Sequence, residues 1–180
     1  MSATGLYALD ATHSNVEFAV KHMMITTVKG RFSDVKGTVE IPAAGEPKVD
    51  VVIGAASIDT RTEARDNHLR SADFFDVEKY PELRFASTHA QQTDDGWKLT
   101  GNLTIRGTTR PVTLTVVEEG EGVDPWGNEK AAFSATGKFN RSDFGLNWNA
   151  ALETGGVLVS DEVKVSIDAQ LVKQKAAVAA

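Results

Sequence analysis

The chain has 180 residues, a formal net charge of −6 and no cysteine. Without cysteine it has no disulfide bond, no zinc–thiolate site and no cysteine nucleophile. Lysine and arginine are scattered along the sequence. This disfavours nucleic acid as a partner, because its binding depends on clustered positive charge. The length is typical of one domain.

The two ends of the sequence allow predictions about the cellular location of the protein and about disorder at its C-terminus. The first residues, MSATGLYALDATHS, contain neither the basic segment nor the apolar run of a secretory signal. No run of about 18 apolar residues occurs in the sequence, so we predict no membrane span. We therefore expect a cytoplasmic protein. We expect residues 174–180 to form a disordered tail, since they offer no face for packing.

Alternating apolar and polar residues predict β-strands along most of the chain, because successive side chains of a strand point to opposite faces. We predict a short strand near residues 5–9 and eight long strands. The clearest patterns lie at 97–105 and 163–171, and others lie at 16–24, 48–58, 83–93, 112–116 and 133–139. Short connections between antiparallel strands indicate a closed barrel or a sandwich.

Turn-forming sequences separate the strands. They are PAAGEP at 42–47, TDDG at 93–96, RGTTRP at 106–111 and DPWGN at 124–128. The longest connection covers residues 147–162, and its Gly155-Gly156 pair predicts a mobile loop.

The predicted inward positions favour a barrel, so we predict an all-β fold, an antiparallel β-barrel of about eight strands. Such barrels are either filled by side chains or hold one small ligand. In one interpretation small inward residues leave room for a ligand, and in the other they only fit the taper and bends of the barrel. The large inward residues are Phe18, Phe85, Phe133 and Phe139, and the small ones are Ala55, Gly101, Ala135 and Gly137.

Residues 61–79 interrupt the strands with a helical pattern. The sequence TRTE at 60–63 has the spacing of a capping box, and Asp66 and Arg70 have the spacing of an ion pair on one helix face. Paired phenylalanines follow, and Pro81 ends the segment. A helix between two strands cannot join the sheet, so we predict that its aromatic end covers the open end of the barrel.

The segment DTRTEARDNHLRSADFFDVEKYPELRF, which contains this helix, resembles the signature segment of the YceI-like family. Further stretches resemble the family in order and spacing: HSNVEFAVKHMMI, KGRFSDVKGTVEI, GNLTIRGTTRPVTL, DPWGNEKAAFSATGKFNRSDFGL and SDEVKVSIDAQLVK. The resemblance covers residues 6–173, which we therefore predict to be a single YceI-like lipid-binding barrel domain.

The resemblance implies a lipocalin-like antiparallel barrel, often dimeric, whose apolar pore holds a long isoprenoid or related amphiphilic lipid. It predicts non-catalytic binding of such a lipid, for transport, storage or sensing, with no cofactor besides the lipid. Many members of the family carry a secretory signal and are periplasmic, unlike the expectation for this sequence. The apolar run Val51, Val52 and Ile53 also favours a homodimer, because an outward apolar strip needs cover.

Sequence motifs of enzymes are absent: there is no G-x-S-x-G, no phosphate-binding glycine loop and no H-E-x-x-H. The four histidines lack the spacing of a metal site, so we predict neither catalytic residues nor metal ligands. His22 and His68 lie on apolar faces, where each either ties the helix to the barrel or hydrogen-bonds a lipid head group. The alternative functions are an enzyme on a lipid-like substrate, with His22 or His68 as general base, and a stress-related structural protein without a ligand.

The predicted ligand-binding residues come from the inward strand positions, the helical segment and the long loop. One β-bulge would reverse the inward positions beyond it, and residues 30–37 are where we expect one. The set comprises Phe18, Val20, His22, Phe32, His68, Leu69, Phe74, Leu99, Leu103, Phe133, Phe139 and Trp148.

Overall fold

The computed structural model describes residues 4–153 and 155–175. Within these ranges the chain forms eleven strands, one α-helix and two short 3-10 turns. The helix α1 is Glu63–Arg70, and the 3-10 turns are Ala55–Ser57 and Arg141–Phe144. The strands are β1 (Gly5–Leu9), β2 (Asn15–His22), β3 (Thr26–Phe32), β4 (Val35–Ile41), β5 (Lys48–Gly54), β6 (Ile58–Asp59), β7 (Glu82–Thr93), β8 (Gly96–Ile105), β9 (Thr108–Val123), β10 (Glu129–Asn140) and β11 (Glu162–Lys173).

Eight of the strands close into a barrel. Their order around the wall is β1-β4-β5-β7-β8-β9-β10-β11, and β11 pairs again with β1. Every pairing around this ring is antiparallel. Closure removes the free edges that an open sheet would expose. The predicted all-β, lipocalin-like barrel with one helical insertion is confirmed.

The remaining three strands lengthen the wall at one end. β1 and β2 share one edge of β11: β1 pairs with its last residues and β2 with Lys164–Asp168. β3 pairs with β2, and the two-residue β6 pairs with β3. Because α1 follows β6 closely in the chain, this extension and the helix lie at the same end of the barrel.

The barrel therefore has two different ends. The helix end holds α1, the turn between β2 and β3, and the connection 145–161, and the far end holds the turn between β9 and β10. The twelve residues of β10 run from one end to the other, a distance of about 40 Å. Tyr7, Ile41, Ala131 and Leu171 form an apolar cluster at the far end. A larger cluster at the helix end includes Ile58, Phe74, Phe144 and Leu146.

Two connections differ from the prediction. The expected turn at 106–111 is only Arg106-Gly107, both with positive φ (49° and 73°), because Thr108 already pairs with Ile105. The pattern seen at 112–116 is therefore part of a much longer strand, β9. The predicted strand 48–58 ends at Gly54, where a 3-10 turn redirects the chain.

The β-bulges also lie elsewhere than predicted. One lies between Ser87 and His89, and the other lies opposite the Ala132/Phe133 step, where β9 has an extra residue. The prediction of a bulge at 30–37 is wrong, because Ser33 and Asp34 form a bend that separates β3 from β4. Neither bulge inserts a residue into a strand that carries a predicted lining residue, so those inward positions keep their parity.

No helix in the described ranges is long and apolar enough to cross a membrane. The predicted tail starts at Gln174, whose N–H still donates to the Leu6 carbonyl over 2.7 Å. Residues 176–180 of the predicted tail lie outside the described part of the chain.

Candidate functional site: an apolar cavity inside the barrel

A cavity of about 710 Å³ occupies the interior of the barrel. Its volume lies within the range of small-molecule sites, roughly 300–1,000 Å³. All twelve residues predicted to bind a ligand lie on its wall. Their part in ligand binding stays a prediction.

The wall of the cavity is almost wholly apolar, because the inward positions of the strands carry aliphatic and aromatic side chains. Leu99 pairs with Leu114 and Phe85 with Leu103 across neighbouring strands, and all four line the cavity. Within the described residues, every buried side-chain nitrogen and oxygen has a hydrogen-bond partner. Because an unpaired buried polar atom costs about 1–3 kcal/mol, a wall without such atoms suits an apolar chain.

Two phenyl rings lie directly over glycines of neighbouring strands. A Cβ at Gly30 would come within 2.3 Å of the Phe18 ring, and one at Gly101 within 2.4 Å of the Phe85 ring. The space at these glycines is therefore filled by aromatic carbon, so Gly101 adds no room for a ligand. Ala135, in contrast, borders the cavity.

The helix end of the cavity is covered by α1 and the turns that follow it. Phe74 is buried, and Leu69, Phe74 and Phe75 all line the cavity. The Phe75 ring meets the Phe32 ring edge to face, with centroids 5.8 Å apart. These positions agree with the prediction that the aromatic end of the segment covers the barrel. The helix is shorter than predicted, since it ends at Arg70 and turns occupy most of the remainder.

The predicted capping box is wrong. No side chain caps the N-terminus of α1, and the Thr60 N–H and hydroxyl both donate to the Asp66 carboxylate instead, the N–H over 2.9 Å. Asp66 therefore does not form the predicted ion pair. Arg70 donates to the carbonyls of Ala56 and Ile58, each over 2.8 Å. Side-chain bonds to the preceding segment thus hold the helix on the barrel.

Trp148, from the connection 145–161, meets the helical segment over the cavity. Its ring centroid lies 4.7 Å from that of His68 and 5.3 Å from that of Phe74. His68 Nε2 also lies 2.8 Å from a carboxylate oxygen of Asp73. The His68 ring also meets the Phe74 ring, with centroids 5.1 Å apart, so the imidazole is held between a carboxylate and two aromatic rings.

The cavity opens beside α1. Thr62 and Ala64 are exposed to solvent and also line the cavity. Arg65 lines it at the same place, and its guanidinium donates to the Thr60 hydroxyl (2.7 Å), the Thr60 carbonyl (2.8 Å) and the Thr62 hydroxyl (3.1 Å). These partners include no carboxylate. The opening therefore carries polar groups, among them the Arg65 guanidinium, whereas the interior is apolar.

Arg141 is a cavity residue that sequence reasoning missed. It is 6% exposed, and its guanidinium donates to the backbone carbonyls of Leu146 (2.6 Å), Trp148 (2.8 Å) and Ser160 (3.0 Å). Burial lowers the pKa of Arg141, because the charged form loses hydration. The arginine lies in the stretch FNRSDFGL, yet nothing in the spacing shows that it holds Trp148 in place.

The two histidines that were predicted to bind a ligand have different surroundings. His22 lines the cavity at the end of β2, where its backbone forms a bridge with Val159. His68 lines it from α1 and is bonded to Asp73. Within the described part of the chain, no group of three or more His, Asp or Glu side chains is placed to hold a metal ion.

An antiparallel barrel closed around an apolar cavity is the architecture of the lipocalin-like class of proteins. Within this class, a model of the YceI-like domain matches residues 7–171. The chain therefore belongs to the YceI-like family, as its sequence motifs predicted.

Known proteins resemble this chain in sequence, in fold or in both. Protein YceI of Salmonella newport is 39% identical over 170 residues, covering 92% of this chain and 85% of that protein. The solved YceI protein of Campylobacter jejuni is 34% identical with a TM-score of 0.74, covering 86% of this chain and 90% of that one. A polyisoprenoid-binding domain from Saccharophagus degradans is 17% identical with a TM-score of 0.68, covering 96% of this chain and all of that one. Similarity at 17% identity shows a shared fold alone.

Proposed function

We propose that this protein binds one long-chain amphiphilic lipid, of polyisoprenoid type, inside the barrel and does not transform it. The observation that carries the proposal is the apolar cavity of about 710 Å³. Removing apolar surface from water contributes about 25 cal/mol per Å², so such a wall favours a hydrocarbon chain over a polar ligand.

The polar head of the lipid lies at the helix end in this proposal. Thr62, Arg65 and His68 line the cavity there and supply hydrogen-bond donors for a hydroxyl, carboxylate or phosphate group. The chain of the lipid extends from the opening toward Phe133 and Leu171, which line the cavity in the other half of the barrel. An isoprenoid chain is supported by the Saccharophagus degradans domain of the same fold, which is described as polyisoprenoid-binding.

Native mass spectrometry of the purified protein, followed by organic extraction, tests this proposal. We expect the mass of the chain plus one lipid, an isoprenoid in the extract, and uptake of one geranylgeraniol per chain after delipidation. A chain that takes up neither geranylgeraniol nor palmitate contradicts lipid binding. Uptake of palmitate without geranylgeraniol contradicts the isoprenoid class.

The hydrogen bond between His68 and Asp73 favours a second candidate, an enzyme acting on a lipid-like substrate. A carboxylate that orients an imidazole is the arrangement of a general base, and it favours His68 over His22 for that role. Prolonged incubation of the protein with its extracted lipid separates the two functions. Binding alone leaves the lipid unchanged, whereas an enzyme converts it and loses this activity on substitution His68→Gln.

We propose a cytoplasmic homodimer, as expected from the sequence. Val52, from the apolar run on β5, is only half-buried between its cross-strand partners Lys36 and Arg84, which leaves part of its side chain for a subunit contact. Light scattering at micromolar concentration tests the dimer, and a monomer mass contradicts it. Cell fractionation tests the location.

A further inference from the structure

The turn between β2 and β3 combines exposed apolar side chains with an uncommon backbone. We call residues Met23–Ile25 the apical turn. Its members are 43%, 61% and 76% exposed in chain order. Met23 and Met24 both have positive φ (53° and 59°), and the Ile25 N–H donates to the His22 carbonyl over 3.1 Å. Hairpin turns with two successive positive φ angles strongly favour Asn and Gly, so methionine at both positions is costly.

The apical turn directly continues the wall of the cavity. Val20 and His22 before it and Val28 after it line the cavity. Leu158 also lines the cavity, and its carbonyl accepts a hydrogen bond from the Met23 N–H over 2.7 Å. Three apolar side chains therefore stand in solvent next to the wall proposed to take the lipid, at the end where the cavity opens.

The hairpin that carries the apical turn is basic, although the whole chain has a net charge of −6. From 15 to 32 it contains Lys21, Lys29 and Arg31 and one acidic residue, Glu17, which is the cross-strand partner of Arg31. Both lysines are exposed, and Arg31 pairs with Asp59 over 3.3 Å. Apolar side chains with lysines behind them match the surface of an anionic membrane, where apolar groups enter the interface and lysines meet the lipid head groups.

The hairpin at the far end is also apolar but has the opposite charge. Val123 and Trp126 are 68% and 83% exposed, and Glu121, Asp124 and Glu129 lie around them in the sequence. An anionic membrane repels this group of carboxylates. A second protein is a poorer match for the apical turn than a membrane, because a stable interface buries about 1,200–2,000 Å² and three residues at a convex point supply little of it.

We propose that the apical turn inserts into the surface of an anionic membrane and brings the opening of the cavity against it. Lipid then passes between the bilayer and the barrel without crossing water. This inference rests on the lipid binding proposed above. Membrane insertion would account for the strained backbone, because the turn places two flexible, polarisable methionine side chains at the tip of the hairpin.

Flotation of the full chain with vesicles tests the docking. The double variant Met23→Asn, Met24→Gly removes apolar groups and relieves the backbone, so it is expected to fold at least as well as the parent. Its matched control is Val123→Ser, Trp126→Ser. We expect the parent and the control to float with vesicles of phosphatidylcholine and phosphatidylglycerol, and the apical variant to bind at least about tenfold more weakly. Replacing Lys21 or Lys29 by Gln is expected to weaken binding about fivefold each at low salt.

Transfer of geranylgeraniol distinguishes a failure of this inference from a failure of the proposed function. Geranylgeraniol is supplied in ethanol to measure binding in the cavity, and in the same vesicles to measure transfer. The apical variant is expected to keep uptake from ethanol and to lose most of the transfer. Absence of uptake from ethanol by the parent defeats the proposed function, while flotation still tests the docking.

Three results would overturn the docking itself. The first is a parent chain that floats with neither anionic nor phosphatidylcholine vesicles. The second is a far-end control that loses flotation as much as the apical variant does. The third is an apical variant that floats like the parent and differs only in its oligomeric mass by light scattering, which would make the turn a contact between protein chains.

Discussion

The two ends of the barrel are closed in different ways. At the far end, Tyr7, Ile41, Ala131 and Leu171 lie on strands of the barrel itself and are only 1–7% exposed. Their strands pair directly with one another. At the helix end, closure is made by α1, the turns after it and the connection 145–161, none of which belongs to the barrel ladder. One closure is part of the wall, and the other is added to it.

The two closures also depend on different interactions. The far end is stabilised by apolar burial between paired strands. The helix end relies in addition on arginine side chains that hydrogen-bond backbone carbonyls, Arg70 to those of Ala56 and Ile58 and Arg141 to those of Leu146 and Trp148. Because these bonds are not part of the barrel ladder, we expect this closure to open while the ladder stays intact, as the proposed entry of a lipid requires.

The largest effect is expected from breaking the far end. Ile41→Ala removes a side chain that is 7% exposed and does not line the cavity. The free energy of unfolding should fall by about 4 kcal/mol, since the transfer and cavity costs add. Urea denaturation measures the loss, and Glu40→Ala, an exposed change on the same strand, is the control. A loss below about 1 kcal/mol would mean that the far end contributes little to the fold.

A smaller and more local effect is expected at the helix end. Arg141→Met leaves buried carbonyls without donors, which should cost about 2 kcal/mol. Hydrogen exchange should rise mainly in the connection 145–161, because the barrel ladder does not depend on this side chain. Arg110→Met, at an exposed position on β9, is the control. Faster exchange spread evenly over all strands would show that the two ends do not open separately.

A third prediction tests the cavity that lies between the two ends. Ala135→Trp and Leu103→Trp place a large ring in the middle of the barrel, at positions that line the cavity. Overpacking a filled core costs about 1–3 kcal/mol, whereas a ring that enters an empty cavity should cost less than about 1 kcal/mol. Uptake of geranylgeraniol should be lost in both variants. A large loss of stability with unchanged lipid uptake would count against the cavity and the proposed lining residues.

The smallest effect is expected from substitution of Asp10, which directly follows the last residue of β1. Its carboxylate accepts hydrogen bonds from the Thr12 hydroxyl (2.6 Å) and the Gln170 amide (3.0 Å). These bonds, that from Thr12 foremost, together with a contact of 2.9 Å to His13 Nδ1, hold the pKa of Asp10 well below its ordinary value of 3.8. A lowered pKa means that the folded state favours the ionised carboxylate, so its contribution is complete at neutral pH and is lost as the pH falls below about 4.

Asp10→Asn should therefore lower the free energy of unfolding by about 1 kcal/mol at neutral pH. The difference from the parent should shrink in acid, where the parent itself loses the contribution. Urea denaturation at several pH values between neutral and acid measures it. A difference that stays constant with pH would show that the carboxylate charge has no part in this contact.

The alternation of apolar and polar residues along single strands was enough to predict most of the barrel strands and the side chains that face inward. Inward positions such as Leu99, Leu103 and Phe139 follow from a period of two residues, which depends only on the local backbone. The helical segment was also visible locally, because its charges and paired phenylalanines fit neither face of a strand. The motifs around it were specific enough to predict the family that the comparison then confirmed.

Only the tertiary structure decided the interactions between distant residues. The capping box at 60–63 failed because a buried carboxylate, Asp66, takes the hydroxyl that the local pattern assigned to the helix N-terminus. Arg141 gained its role from carbonyls on a connection that folds back over the barrel, and Trp148 met His68 by the same route. The volume of the cavity equals the space that the closed wall encloses minus the volume of the side chains inside it. Periodicity shows which side chains face inward, but the enclosed space depends on how eight strands tilt and close, which no single strand determines.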